Sequence, residues 1–249
     1  FGKYMDPRIV SNLLDNPEFA EPGGEKREMT VLFIDLKGFT SISEKLAPND
    51  LVNLVNDFFS LMGEAIASNN GVVDKYMGDA VMAYWGPPFT GKDEHAALAC
   101  KAALEALRQL EIFRNDVKSQ LGAEADDLEI DLRIGVSTGE MIVGTIGSKA
   151  SMNFTVMGDP VNLGSRLEGA SKAYGTRILI SERTRELAGD SIVSREMDLI
   201  RVKGKLEPTR IYELMGEQAA QLALPAPALD SFMSGLIAYR GQQWEQAVL

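Results

Sequence analysis

An apolar run of strand-forming residues, 29–34, leads directly into the acidic Asp35. Such a run predicts a central strand that is buried on both faces of a sheet. A second acid, Asp79, lies in a glycine-containing turn between two further predicted strands, 72–76 and 80–85, which form a hairpin. The fold must therefore contain a sheet in which two neighbouring strand ends each carry a carboxylate.

Helices alternate with strands along the rest of the chain. Apolar spacing and capping residues predict helices over 7–14, 48–68, 93–118 and 158–173, with a short one after Ser181. Further strands are predicted over 128–136 and 140–146, paired around a turn at Thr138-Gly139, and over 177–180, 192–202 and 209–214. Because some strands form direct hairpins, the pattern favours an α+β sandwich of ferredoxin-like type, a mixed, mostly antiparallel sheet flanked by helices, over a doubly wound fold.

Three segments are predicted along the 249 residues. Residues 1–26 form an N-terminal helix and a linker from Asn16 to Lys26, residues 27–216 form the main domain, and residues 217–249 form a second linker and a truncated helical segment. The chain starts at Phe1 and stops mid-pattern, which indicates a piece of a longer protein. No apolar run approaches the roughly 18 residues needed to cross a bilayer, so no transmembrane helix is expected. The single cysteine, Cys100, forms no intrachain disulfide, so we expect a cytoplasmic fragment, whether or not a missing region anchors the parent protein.

The charge balance excludes some functions. A net charge of −11 lacks the basic footprint of a non-specific nucleic-acid binder. An anionic nucleotide can still bind where metal ions or a local basic pocket supply positive charge. No Gly-x-x-x-x-Gly-Lys-Ser/Thr run is present, so the chain is not a P-loop enzyme. His95, the single histidine, is expected on a helix surface, and no histidine-dependent mechanism is proposed.

Two carboxylates at neighbouring strand ends favour a divalent metal site. A buried carboxylate is costly unless something compensates it, and hard oxygen ligands suit Mg²⁺ or Mn²⁺. The alternative for each of Asp35 and Asp79 is a simple turn cap. The glycine-containing turn after Asp35 adds backbone N–H groups that can face phosphate oxygens, and this favours the metal site.

Two other sets of residues have both a functional and a structural interpretation. Asn162 and Arg166 are four apart on a predicted helix and share one side of it, where Arg166 suits the charge that builds on a phosphate. An ordinary surface pair has the same spacing. Lys203-Gly204-Lys205 is a basic turn between strands that binds a triphosphate or is merely solvated.

Several ordered stretches resemble the class III adenylyl/guanylyl cyclase catalytic domain. The matching stretches are residues 33–43, 75–82, 133–139, 154–166 and 203–205. Together they span about residues 27–215. The resemblance implies a palm-type βαββαβ sandwich that contains the metal and nucleotide residues named above.

The resemblance also implies the metal and phosphate ligands. Asp35 and Asp79 hold two divalent metal ions, Mg²⁺ or Mn²⁺, with help from the Leu36 carbonyl. The phosphates lie in the following turn, at Gly38, Phe39 and Thr40. Lysines bind the phosphates further out: Lys203 or Lys205 at the terminal phosphates, and Lys149 as a second contact.

The resemblance implies that four other residues contact the base, the ribose and the transition state. Lys75 and Thr155 read the adenine ring, Asn162 orients the ribose, and Arg166 stabilises charge at the α-phosphate. The guanylyl-type pattern has Glu at the Lys75 position, so Lys75 indicates ATP. The commonest adenylyl-type pattern has Asp where Thr155 stands. Thr here resembles a subgroup that includes bicarbonate-responsive cyclases, which makes bicarbonate activation a hypothesis.

The implied function is an adenylate cyclase that converts ATP to 3′,5′-cyclic AMP and pyrophosphate. Sites of this family form between two catalytic domains, and this chain carries both halves, so the resemblance implies a head-to-tail homodimer with two shared sites. An upstream sensor domain is expected in the parent chain. Two alternatives are a guanylate cyclase and a catalytically silent nucleotide-sensing dimerisation module.

Overall fold

The computed structural model describes residues 5–17, 21–148, 150–201, 208–217 and 226–247. The strands it describes are β1 Gly23–Lys37, β2 Val72–Met77, β3 Ala80–Trp85, β4 Asp131–Ser148, β5 Ser151–Met157, β6 Ile178–Ser181, β7 Val193–Ile200 and β8 Thr209–Gly216. The α-helices are α1 Pro7–Asp15, α2 Phe39–Lys45, α3 Pro48–Ala67, α4 His95–Leu121, α5 Asp159–Tyr174, α6 Glu182–Ala188, α7 Ala226–Arg240 and α8 Trp244–Ala247.

One sheet joins all the described strands. Its order is β2-β3-β1-β4-β6-β8-β7, and β5 pairs with the second half of β4. The long antiparallel ladder between β1 and β4 runs from Gly23 opposite Thr145 to Lys37 opposite Asp131. Among the described pairings only β4 with β6 is parallel. The predicted α+β sandwich with a mixed, mostly antiparallel sheet is therefore confirmed.

Strand β1 is buried on both faces, as its apolar run predicts. Leu32 and Ile34 pack into the core under α3 and α4, while Val31 and Phe33 pack into the core on the other face. Asp35 follows Val31 and Phe33 in the two-residue alternation, and so belongs to the face covered by α5. Helix α5 lies close against that face because Gly135 has no side chain: a Cβ there would stand 2.1 Å from the Gly164 carbonyl oxygen.

The predicted hairpin around Thr138-Gly139 is wrong. Residues 131–148 form one continuous strand, and Thr138 pairs directly with Thr30 in the ladder with β1. The Thr138 hydroxyl lies in a buried chain of hydrogen bonds, 2.8 Å from Thr30 Oγ1 and 2.8 Å from Thr184 Oγ1. Buried hydrogen bonds and a long partner strand thus override a local turn signal.

Two smaller predictions are also wrong. His95 is fully buried at the start of α4, where its Nδ1 lies 2.7 Å from Thr30 Oγ1, and burial lowers the pKa of its imidazole. The stretch predicted as a linker up to Lys26 ends in a strand, since β1 begins at Gly23. Both differences come from pairing partners that are distant along the chain.

Candidate active site

Asp35 and Asp79 meet at one edge of the sheet. In the antiparallel ladder of β1 and β3, Asp35 lies opposite Ala80, and Asp79 is the residue immediately before Ala80. Burial raises the pKa of the Asp79 carboxyl, and the negative charge of Asp35 raises it further. The two carboxylates are therefore close enough for the charge of one to act on the other.

Two further charged residues complete this edge, and sequence reasoning did not find them. The Arg133 guanidinium, on β4, lies 2.5 Å from Asp35 Oδ2, and its Nε lies 3.3 Å from Glu168 Oε1 on α5. Burial raises the pKa of Glu168 to about 7, with a further contribution from the charge of Asp35. We call Asp35, Asp79, Arg133 and Glu168 the carboxylate edge. Asp35 and Arg133 are direct partners in the β1–β4 register. The sequence pattern predicted two strands in place of β4, and therefore did not predict this pairing.

The residues after Asp35 form a tight corner and a short helix. Gly38 has a φ of +94°, and a Cβ there would stand 2.6 Å from the Glu129 carbonyl oxygen, so glycine alone fits. Helix α2 then begins at Phe39. The first N–H groups of a helix have no partner within it, so the N–H groups of Phe39 and Thr40, near the end of β1, have no partner within α2.

Helix α5 turns its polar residues to different sides. Each helical residue rotates by about 100°, so Glu168 points about 160° away from Arg166 and about 120° away from Asn162 around the helix. Glu168 faces the carboxylate edge of its own chain through Arg133. Asn162 is exposed and Arg166 is half-buried. In the described part of the chain no carboxylate lies within ion-pair distance of Arg166.

Lys75 and Thr155 are brought together around a third residue, Asp74. The Lys75 Nζ lies 3.1 Å from Asp74 Oδ2. Burial raises the pKa of the Asp74 carboxyl, and the neighbouring Thr155 hydroxyl and Lys75 ammonium offset part of the rise. We call Asp74, Lys75 and Thr155 the base cluster. Strands β2 and β5 are far apart in sheet order. On the apolar face, Phe89 contacts Tyr84 of β3, the hairpin partner of β2, and Phe154 of β5.

Three predicted phosphate-binding lysines lie outside the described residues: Lys149, Lys203 and Lys205. Their roles stay predictions. In the described ranges no helix is both long and apolar enough to cross a membrane.

Comparison with known protein families identifies the family to which a chain with this arrangement belongs. The family model described as the adenylate and guanylate cyclase catalytic domain matches residues 23–216. The chain belongs to this family. The match covers every strand of the sheet and both the carboxylate edge and the base cluster.

Individual cyclases share much of the sequence and fold. The chain is 38% identical over 221 residues to the adenylate cyclase of Anabaena cylindrica, which covers 86% of this chain and 42% of that protein. The adenylyl cyclase CyaB of P. aeruginosa superposes with a TM-score of 0.72 at 33% identity, over 79% of this chain and 97% of that one. The guanylyl cyclase Cya2 superposes with a TM-score of 0.70 at 33% identity, over 82% and 100%. The chain spans less than half the length of the curated relatives it matches.

The donor set of this cyclase domain suits a divalent cation. Asp35, Asp79 and the Leu36 carbonyl offer hard oxygen ligands, and the mutual repulsion of the two acids is relieved by a positive ion. In the described part of the chain no group of three or more His, Cys, Asp or Glu side chains forms a cage for a metal. Two carboxylates fit Mg²⁺ in particular, because this ion binds through one or two carboxylates together with substrate phosphates.

Proposed function

We propose that this domain is an adenylate cyclase, which joins the ribose 3′-oxygen of ATP to the α-phosphorus and releases pyrophosphate. The observation that carries the proposal is the meeting of Asp35 and Asp79 at one strand edge in a cyclase fold. The reaction forms one P–O bond and breaks another, and the 3′-hydroxyl loses its proton. Such a displacement depends on positioning and on the stabilisation of charge.

Asp35, Asp79 and the Leu36 carbonyl are the proposed ligands of two Mg²⁺ or Mn²⁺ ions. Bound there, the ions would lower the pKa of the attacking hydroxyl and neutralise charge on the phosphates. The N–H groups of Phe39 and Thr40, which begin α2 beyond the Gly38 corner, would bind phosphate oxygens.

Arg133 is a further proposed phosphate ligand. Its guanidinium lies at the carboxylate edge and is held by Glu168 as well as Asp35. A planar fork of donors matches phosphate oxygens in a way a point charge does not. Arg133 therefore complements the predicted lysines Lys149, Lys203 and Lys205 in neutralising the triphosphate.

The proposed site is shared by two copies of the chain. Asn162 and Arg166 point away from the carboxylate edge of their own chain, so the half they would supply serves the edge of a partner. Next to α5, Ile142 and Met157 lie opposite each other in the ladder of β4 and β5 and are 44% and 46% exposed. Exposed apolar side chains of this kind favour an association surface. In the head-to-tail dimer Asn162 would orient the ribose and Arg166 would stabilise charge at the α-phosphate.

ATP is the proposed substrate in preference to GTP. Lys75 offers a donor and Thr155 a hydroxyl to the base edge, and both belong to one cluster. Guanylate cyclase is the second candidate, because the family includes both activities and Cya2 has the same fold.

The proposal is tested by incubating the purified chain with ATP or GTP and Mg²⁺ or Mn²⁺, and separating the products by chromatography. We expect cyclic AMP and an equal amount of pyrophosphate, with a clear preference for ATP. Asp35→Asn is the matched control for a contaminating cyclase. Cyclic GMP as the main product would instead identify a guanylate cyclase, and no cyclic product under any condition would favour a silent nucleotide-binding module.

A further inference from the structure

Asp74 is a buried acid that the proposed reaction does not use. Its side chain is only 1% exposed, and the Lys75 ammonium lies 3.1 Å from Oδ2 as an ion-pair partner. Among the described residues neither carboxylate oxygen accepts a well-directed hydrogen bond. The Thr155 hydroxyl oxygen beside it is also buried without a hydrogen-bond partner. Buried polar atoms without partners are costly, and each one in a folded protein calls for an explanation.

A β-bulge puts Asp74 in this position. Val73 pairs with Ala83 and Lys75 pairs with Met82, so Asp74 is an extra residue in β2. A bulge re-aims the side chains around it. Here Lys75 stays 44% exposed while Asp74 turns inward, toward the strand that carries Thr155.

The chemistry of the three groups has one consistent arrangement. A carboxylate only accepts hydrogen bonds, and a threonine hydroxyl has a single hydrogen to donate. If that hydrogen goes to Asp74, Thr155 Oγ1 has only lone pairs left for a third group. The Lys75 ammonium, held by the same carboxylate, offers only donors.

We propose that Asp74 is a positioning residue that fixes Thr155 as an acceptor and Lys75 as a donor, and thereby makes the base cluster select adenine over guanine. Adenine presents an amino group at position 6 and an acceptor at N1. Guanine presents the reverse, a carbonyl oxygen at position 6 and an N–H at N1. An acceptor from Thr155 and a donor from Lys75 match the first pattern and oppose the second. This inference rests on the proposed function, because it assumes that the cluster reads the base of a nucleotide substrate.

The test is a double-mutant cycle on substrate selectivity. The ratio of kcat/KM for ATP to kcat/KM for GTP is measured for the wild-type chain, Asp74→Asn, Thr155→Val and the double variant. An amide can donate as well as accept, so Asp74→Asn no longer dictates the direction of the Thr155 hydrogen bond. We expect each single variant to lower the ratio about tenfold or more, and the double variant to be no lower than the lower single one.

Asp198→Asn is the matched control. Asp198 accepts a hydrogen bond of 2.6 Å from the Tyr174 hydroxyl and lies on β7, so it is also a half-buried acid beside a hydroxyl, but at the other end of the sheet. We expect it to keep the wild-type ratio. If Asp74→Asn does not fold, Thr155→Val decides the matter, since it leaves Asp74 in place and still removes the acceptor.

Two results would overturn the inference. The first is an unchanged ratio in Asp74→Asn, or in Thr155→Val if Asp74→Asn does not fold. The second is losses in the two single variants that multiply in the double variant. These results differ from a failure of the proposed function. In that case the wild-type chain itself would make no cyclic AMP or would prefer GTP.

Discussion

The carboxylate edge and the base cluster differ in how their buried polar and charged groups are paired. At the carboxylate edge, Arg133 binds both Asp35 and Glu168, so that opposite charges lie together within one chain. In the base cluster, Lys75 is the one cation beside Asp74, and the oxygens of Asp74 and Thr155 lack hydrogen-bond partners in the described residues. Asn162 and Arg166 likewise face away from their own carboxylate edge.

This difference separates two halves of the proposed site. The carboxylate edge is electrostatically organised by the single chain, as expected for a site that holds metal and phosphate. On the proposed function, the base cluster and the outer side of α5 keep polar groups for a nucleotide and a second copy. Variants in the two halves should therefore fail in different ways, and the following predictions run from the largest expected effect to the smallest.

Asp35→Asn should lower cyclic AMP formation by about 10³-fold or more, because it removes a charged ligand from the proposed metal pair. Mn²⁺ binding, measured by calorimetry in the presence of a non-hydrolysable ATP analogue, should weaken in parallel. Asp126→Asn is the control, since this exposed acid pairs with Lys118 at the surface. Near-normal turnover in Asp35→Asn would remove Asp35 from the site.

Arg166→Ala should lower kcat by about 10²–10³-fold with a much smaller change in KM, because it removes one preorganised group that stabilises transition-state charge. Arg108→Ala removes an exposed arginine that pairs with Glu105 on α4, and should keep full activity. The measurement is steady-state kinetics with ATP. A rise in KM alone would place Arg166 in ground-state binding instead.

Arg133→Lys should raise the KM for ATP about tenfold, because lysine keeps the charge but loses the planar fork that binds phosphate and bridges two acids. Arg177→Lys is the matched control, since Arg177 also pairs with an acid of β4, Asp131, outside the carboxylate edge. The same kinetics decide the outcome. An unchanged KM would limit Arg133 to a structural role.

Glu168→Gln should stabilise the metal-free chain, and more so at high pH. The pKa of Glu168 is about 7 in the folded chain, above its ordinary value of 4.5, so the folded state binds more protons between these values and loses stability as pH rises. After allowance for solvent screening, the gain from the variant should be about 1 kcal/mol larger at pH 8 than at pH 5.5. Urea unfolding in the presence of a chelator measures the free energy of unfolding of the wild-type chain and the variant at both pH values. An equal gain at pH 5.5 and pH 8 would contradict the raised pKa of Glu168 as its cause.

The sequence predicted the parts of the site that depend on local pattern. The strand ending in Asp35, the hairpin holding Asp79 and the helix of Asn162 and Arg166 all follow from apolar spacing and turn residues. Arg133 and Glu168 could not be predicted, since the β1–β4 register and the packing of α5 bring them to Asp35.

Two other features were equally out of reach of local pattern. His95 is buried by Thr30, from which it is separated by 64 intervening positions along the chain. Asp74 turns inward because of a β-bulge, and the neighbouring residues in the sequence do not predict that bulge. The functional roles of the residues named from the resemblance remain predictions until variants are measured.

The central claim is that two copies share each site, and complementation between inactive variants tests it most directly. Asp35→Asn and Arg166→Ala are mixed at equal concentration under conditions that exchange subunits. Half of the dimers are then mixed, and each contains one intact site, so activity should return to about a quarter of the wild-type value. If the mixture contains mixed dimers and stays as inactive as the separate variants, the shared site is contradicted.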